Sequence, residues 1–310
     1  MVQSLTDEQK EQAANTSHAY FVLTMTSSSD DNNTDKHRQS KEDIQESMAM
    51  RMARRHLVAQ KGNKTKAIEG MIETLRFRNE IGIDDLRRCM ITMTPKDIDG
   101  HHGDDNDDTT DNNKLQRLRE EVISGIEASD TVQLRGYDKE VRVLLVRKSS
   151  GTKPFDASTT DVDSFLKVQL YWVERAIACT ERKSHGKQEK LNMCIDYNGY
   201  NRKNKPPISM LRALITTLQT HYPERLHYWI AIDPPFILNT IWKIVSFFVD
   251  PITKEKVKFV SGDEAKIEMI GPYIDIDQAM PFLLPGGKQT EPVNLRRMLY
   301  EIPFDHAYNE

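Results

Sequence analysis

Two proline breaks, Pro234-Pro235 and Asp250-Pro251, bracket the segment FILNTIWKIVSFFV, Phe236 to Val249. Its polar residues are Asn239, Thr240, Lys243 and Ser246, and as a helix they fall on one narrow stripe. A helix this apolar has to be covered on most sides. It is also too short to cross a bilayer, which takes about 20 residues. The rest of the chain must therefore give it apolar surroundings. An ordinary core helix and a movable cover over an apolar ligand both meet that demand.

The flanks carry small charged clusters. Upstream, a helix ends at Tyr222-Pro223, and Glu224-Arg225 lead into the run Leu226 to Ile232. That run is nearly continuous in apolar residues, as expected for a strand covered on both faces. Downstream, Asp250 can cap a helix with Pro251 at its first position, and Thr253 and Lys256 precede another short apolar run. A surface ion pair beside an Asp250 cap is the plain reading of these charges. The sharper one is a lipid whose polar head sits at the clusters while the apolar helix covers its tails.

Net charge is −4 with a pI near 6.2, which disfavours a dedicated nucleic-acid binder with its basic face. Mean hydropathy is −0.63, lowered by two acidic, low-complexity tracts, Ser27 to Asn33 and Asp97 to Asn113. Tracts so poor in apolar residues are expected to be loops or disordered insertions. Cys89, Cys179 and Cys194 form neither a CxxC pair nor an even disulfide set, which favours a reducing compartment. Asp7, Glu8 and Glu11 stand where a secretory peptide would need a basic start. A cytoplasmic protein with at most peripheral membrane contact is expected.

Periodicity divides the chain. A polar, partly disordered segment (1–40) precedes a helical module (41–96), an acidic linker (97–114), an α/β domain (115–290) and a C-terminal extension (291–310). In the module, Asn63 can cap a helix with Ile68, Met71, Ile72 and Leu75 at helical spacing and Gly82 as its stop, after a shorter helix near Ile44 to His56. Beyond the linker, strand-like and helical patterns alternate. Arg142 to Arg147 reads as a strand. A long helix follows Thr160 and Asp163, which resemble a capping box. Leu191 to Ile195 reads as a strand, and Leu211, Leu214, Ile215, Leu218 and Tyr222 mark one helix face. This order implies an α/β sheet with partly parallel strands.

Several motifs occur in a family's order: RRHLVAQKGNKTKA (Arg54 to Ala67), Gly136-Tyr137-Asp138-Lys139 before RVLLV, CIDYNGY (Cys194 to Tyr200), YPERL, and DPITKEK. Together they resemble the CRAL-TRIO lipid-transfer proteins, particularly the phosphatidylinositol-transfer branch, over roughly residues 45 to 290. The resemblance implies a helical module followed by a mixed sheet whose flanking helices enclose an apolar lipid cavity. The gate helix would present Phe236, Ile237, Ile241, Trp242, Ile244, Val245, Phe247 and Phe248. Glu224, Arg225, Thr253 and Lys256 stand at the lipid head-group positions, with Lys61 matching a further Lys. Gln60 stands where the family has a phosphate-approaching Arg, and the resemblance implies that phosphoinositol binding is weakened but not abolished. Leu191 and Met193 replace the hydroxyls that hold phosphatidylcholine.

No separate cofactor is implied; a bound phospholipid is the ligand and a membrane surface the transient partner. Two acyl chains hold roughly 30 methylenes, and at about 0.8 kcal/mol each their exposure would cost more than 20 kcal/mol, so transfer demands a closed pocket. GNKTK at Gly62 lacks phosphate-loop spacing, and neither GxSxG nor HExxH occurs. A non-enzymatic lipid-transfer protein is the expected function. A carrier of another hydrophobic ligand, of retinoid or tocopherol type, and a lipid-responsive scaffold without transfer activity are the alternatives.

Overall fold

The computed structural model describes residues 1–17, 41–90, 93, 110–129, 132–149, 155–156 and 160–301. The tract Ser27 to Asn33 and positions 97–109 of the second tract lie outside them. Helix already begins at Thr110, inside the stretch expected as linker.

Of the segment expected to be polar and partly disordered (1–40), residues 1–17 are described and carry a helix. Helix α1 (Asp7–Asn15) is opened by a capping box in which Thr6 Oγ1 accepts from Gln9 N and Gln9 Oε1 accepts from Thr6 N. Val2, Leu5 and Ala13 bury against Ala49, Met52, Ala53, Met71 and Leu75. Those residues lie on α2 (Lys41–Ala59), which is longer than the short helix expected, and on α3 (Lys64–Ile81). Asn63 caps α3 by accepting from Lys66 N, and Gly82 ends it at φ 72°, where a side chain would be strained. Met71 and Leu75 face the core, but Ile72 is exposed.

After α4 (Ile83–Arg88) and α5 (Thr110–Ser129) the chain builds one five-stranded sheet. Its strands are β1 (Val132–Tyr137), β2 (Val143–Lys148), β3 (Leu191–Asp196), β4 (Leu226–Ile232) and β5 (Val257–Val260), in that spatial order. β1 is antiparallel to β2, and the other four run parallel. Neighbouring parallel strands are joined by α6 (Val162–Lys183), α7 (Ile208–His221) and α8 (Phe236–Val245), the last continued by a 3₁₀ turn, Ser246–Phe248, and by α9 (Pro251–Glu255). Right-handed crossovers between strands added in one direction put all the connecting helices on one face. The register agrees: Met193, Trp229 and Val257 form one row on that face, and Ile195, Ala231 and Phe259 the next. The opposite face buries Leu144, Val146, Cys194, Ile230, Ile232 and Val260 under α10 (Asp263–Ile270) and the turns that follow. A last helix, α11 (Leu295–Glu301), closes the described chain.

The cap of α6 is Asp161, whose carboxylate accepts from Ser164 N, and not the Thr160–Asp163 box that the sequence suggests. An Asp one turn in is too short to reach back as the Glu or Gln of such a box does.

Two glutamates on α6 bind the helical module to the sheet domain. Glu174 meets Arg78 of α3 at 2.6 Å, Arg87 of α4 at 3.6 Å and the Tyr222 hydroxyl at 2.6 Å. Although burial pushes the Glu174 carboxyl up, Arg78 and Arg87 outweigh it and hold the pKa down to about 2. Close by, His221 stacks on Phe77 with ring centroids 3.9 Å apart and shares a 3.2 Å hydrogen bond with Thr74 Oγ1. Burial lowers the pKa of His221 to about 4. Burial, with help from the Arg55 charge, does the same for His56.

A base whose folded pKa is depressed contributes stability above its unfolded pKa and loses it as pH falls toward the folded value. The melting temperature is therefore expected to drop between pH 6.5 and pH 4, and the double variant His56→Gln/His221→Gln should show a flatter profile in that window. A double variant as steep as the wild type would contradict this.

Candidate functional site

On the helix-covered face, an interior interface stays half open. Met193, Ile195, Trp229, Val257 and Phe259 are only half-buried although β3 and β4 are inner strands. Across from them, the stripe Leu211, Leu214, Ile215 and Leu218 of α7 is also half-buried, and Met210 is the one fully buried residue of that helix. Close packing normally seals such surfaces. These half-buried apolar residues line the face between α7, α8 and β3–β5.

Helix α8 is held to this face by a thin set of contacts. Leu238 and Val245 are buried, and Leu238 joins Tyr197 and Ala231 in a small cluster that Ile241 borders. Trp242 packs edge-on against Trp229 and Phe259, with centroids 5.4 and 5.8 Å away. The outer side is bare: Phe236 is 85% and Phe247 86% exposed, with Ile237 and Ile244 exposed beside them. The segment is pinned at its ends. Gln219 donates to Phe248 O and accepts from Asp250 N, both at 2.7 Å, and Arg212 lies over the Phe248 ring at 4.3 Å. At the other end Asp233, at φ 47°, meets the buried Lys266 at 2.6 Å. The Trp229 indole Nε1–H is buried with no acceptor among the described residues.

At the N-terminal edge of the parallel strands, Glu224 accepts from Lys256 and from Lys190, each at 3.4 Å. Two cations on one carboxylate leave a net positive, partly accessible cluster. Lys190 was not singled out from the sequence, yet its signal was there: it directly precedes β3 as Lys256 directly precedes β5, and parallel neighbours put those starts on one edge. Thr253 lies half-buried one turn from Lys256, its backbone N–H donating to the Asp250 cap at 2.9 Å. Lys61 sits in the exposed turn between α2 and α3 at φ 50°. Among the described residues no ion pair or hydrogen bond joins it to the Glu224 cluster.

Arg225 departs from its expected head-group role. It is buried and donates to Glu181 at 2.8 Å, to Glu189 O at 2.9 Å and to Thr16 O at 3.1 Å. Ser17 completes Glu181 at 2.9 Å, and Arg55 pairs with Glu189. Glu224 stands in the turn before β4 at φ 57° and faces the edge cluster, while Arg225 turns inward to tie the first helices to α6.

The family profile of the CRAL/TRIO domain matches residues 128–283. The phosphatidylinositol transfer protein PDR17 of Saccharomyces cerevisiae is 28% identical over 219 residues, covering 69% of this chain and 53% of its own length. The CRAL-TRIO domain-containing protein C23B6.04c of Schizosaccharomyces pombe is 25% identical over 209 residues, 66% of this chain and 16% of its own. The chain thus spans about half the length of PDR17 and a smaller part of the second relative. The crystal structure of Sfh5 superposes with a TM-score of 0.49 at 14% identity, over 86% of this chain and 85% of that one.

The two cations should behave differently on substitution. Arg225→Ala leaves the Glu181 carboxylate buried without its cation, and breaking such a pair costs about 3–5 kcal/mol. Lys256→Ala should change stability by less than about 1 kcal/mol, as for other half-exposed ion pairs. Equal losses in urea unfolding would contradict the separation into a structural and an accessible cation.

Proposed function

We propose a lipid-carrier function on the premise that the chain belongs to the CRAL/TRIO domain family. The observation that carries it is the half-buried apolar face under a thinly attached, outwardly apolar helix, which would part to form a lipid chamber. One phospholipid-sized ligand would fill the space between α7, α8 and β3–β5 with its acyl chains. Its ester carbonyls offer the acceptor that Trp229 Nε1–H lacks.

The phosphate would sit at the strand edge. Lys256 and Lys190 supply charge-assisted donors there, and Glu224, an acceptor when ionised, suits the hydroxyls of an inositol ring. Thr253 adds a hydroxyl nearby. Leu191 and Met193 offer no hydrogen bond to a choline phospholipid. That one relative is named a phosphatidylinositol transfer protein supports the same cargo class.

Helix α8 would be the gate. Burying a Phe gains about 1.5–3 kcal/mol, so Phe236 and Phe247 together could recover roughly 3–6 kcal/mol by entering a membrane. Docking would stabilise an opened α8, tails would exchange with the bilayer, and closure would reseal Leu238, Trp242 and Val245 on the sheet. Among the described residues no helix is long and apolar enough to cross a membrane, and this exchange requires only surface contact.

A vesicle-to-vesicle assay tests the reading. Labelled phosphatidylinositol should move faster than labelled phosphatidylcholine. Lys256→Ala should weaken inositol-lipid binding about ten- to a hundredfold, the loss of one charged hydrogen bond. Phe236→Asp with Phe247→Asp should suppress transfer without lowering the melting temperature, because both rings are already solvated. Equal transfer of the two lipids would defeat the cargo assignment, and unimpaired transfer by the double variant would defeat the gate.

A further inference from the structure

Arg147 lies on β2, one strand beyond the β3–β5 wall but on the same sheet face, in register with Ile195 and hence in the row that continues to Ala231 and Phe259 beneath α8. Arg55, Arg78, Arg142 and Arg225 each meet a carboxylate. Arg147 does not: its described hydrogen bond is a 3.5 Å contact from Nη1 to the neutral Gln169 amide oxygen, and among the described residues no carboxylate pairs with it. The side chain is nevertheless still partly accessible. Burial lowers its pKa, with the Tyr197 phenol as the one opposing influence. A guanidinium carries five donors in a planar fork and stays charged, so its desolvation favours any anion that can reach it.

We propose that Arg147 binds the oxyanion of an amphiphilic ligand at the β2 side of this sheet face, toward the C-terminal ends of the parallel strands, a second anion position separate from Lys190–Glu224–Lys256. The sheet separates the two positions. From β2 to β5 there are three strand spacings, about 14 Å, and Lys256 precedes the Arg147 row by three residues, about 10 Å. One phosphate cannot serve both. A lipid headed at Lys256 sends its acyl chains toward Arg147 and leaves the guanidinium unpaired. A ligand that enters oxyanion-first pairs it, with two oxygens matched to the planar fork. A fatty carboxylate and the phosphate of an inward-facing phospholipid share that chemistry. The inference rests on the carrier reading of the chamber.

Titrations of the full chain with cis-parinaric acid and with its methyl ester, read by energy transfer from tryptophan, separate the two ideas. The wild type should bind the acid at least about tenfold more tightly than the ester, the effect of one charged hydrogen bond. Arg147→Met and Arg147→Gln should lose that preference, bind the ester as before, and melt no lower than the wild type, since no ion pair is removed. Arg147→Lys should keep part of it. Competition by phosphatidic acid against diacylglycerol identifies a phosphate source if it shows the same dependence on Arg147; competition by oleic acid alone identifies a carboxylate. Equal binding of acid and ester by the wild type, or a preference that survives Arg147→Met, overturns the proposal while leaving a carrier. Failure of both acid and ester to bind overturns the carrier reading itself.

Discussion

The structure depends on two carboxylates two helical turns apart on α6. Glu174 and Glu181 share one face of that helix, and both are almost wholly buried. Glu174 gathers Arg78, Arg87 and Tyr222, and Glu181 gathers Arg225 and Ser17. Residues of α3, α4, the end of α7, the start of β4 and the end of α1 thus reach this face of α6 by charged or strong hydrogen bonds. Buried ion pairs add little net stability over apolar packing, but removing one partner is severe because the other charge stays behind. Their effect here is to fix geometry: the helical module, α6 and the start of β4 form one frame.

A frame of this kind is what an apolar lipid chamber needs. Facing walls of Leu, Met, Trp and Phe would otherwise collapse onto each other to recover contact and expel water. The end of α7 is held through Tyr222 on Glu174, and the start of β4 through Arg225 on Glu181, which fixes the positions from which Leu218 and Trp229 project. On the opposite edge the charged tie among the described residues is Asp233 with Lys266, at the start of α8. Helix α8 rests on Leu238, Val245 and a pair of tryptophans, with the Gln219 amide fastening its far end. Local opening draws on the segments with the fewest buried contacts, so the contrast between the charged frame and the lightly held helix sets where the molecule can move.

Much of this was legible in the sequence wherever one residue's neighbours along the chain decide its role. The apolar run Leu226 to Ile232 is β4, Leu191 to Asp196 is β3, Asp250 with Pro251 caps α9, and Asn63 and Gly82 bound α3. What stayed hidden depends on partners far along the chain. Glu174 and Glu181 look like ordinary polar positions on an amphipathic helix, because their partners lie 96 and 44 residues away in Arg78 and Arg225. The same distance hid the inward turn of Arg225, which as a neighbour of Glu224 reads naturally as a second head-group cation. Polarity misled at the start of the chain, where small residues such as Ala13 and Ala14 bury fully despite their charged surroundings. Arg147 looked like the end of a strand; only the sheet register places it on the same sheet face as the β3–β5 wall.

The central claim is that the space between α7, α8 and the sheet is a lipid site. Native mass spectrometry of the full chain, incubated with mixed phospholipid vesicles and re-isolated, tests it most directly. The account predicts a one-to-one complex whose added mass releases an inositol-phosphate fragment on activation, and loss of that adduct in Lys256→Ala. A protein that returns from the vesicles only at its bare mass would contradict it.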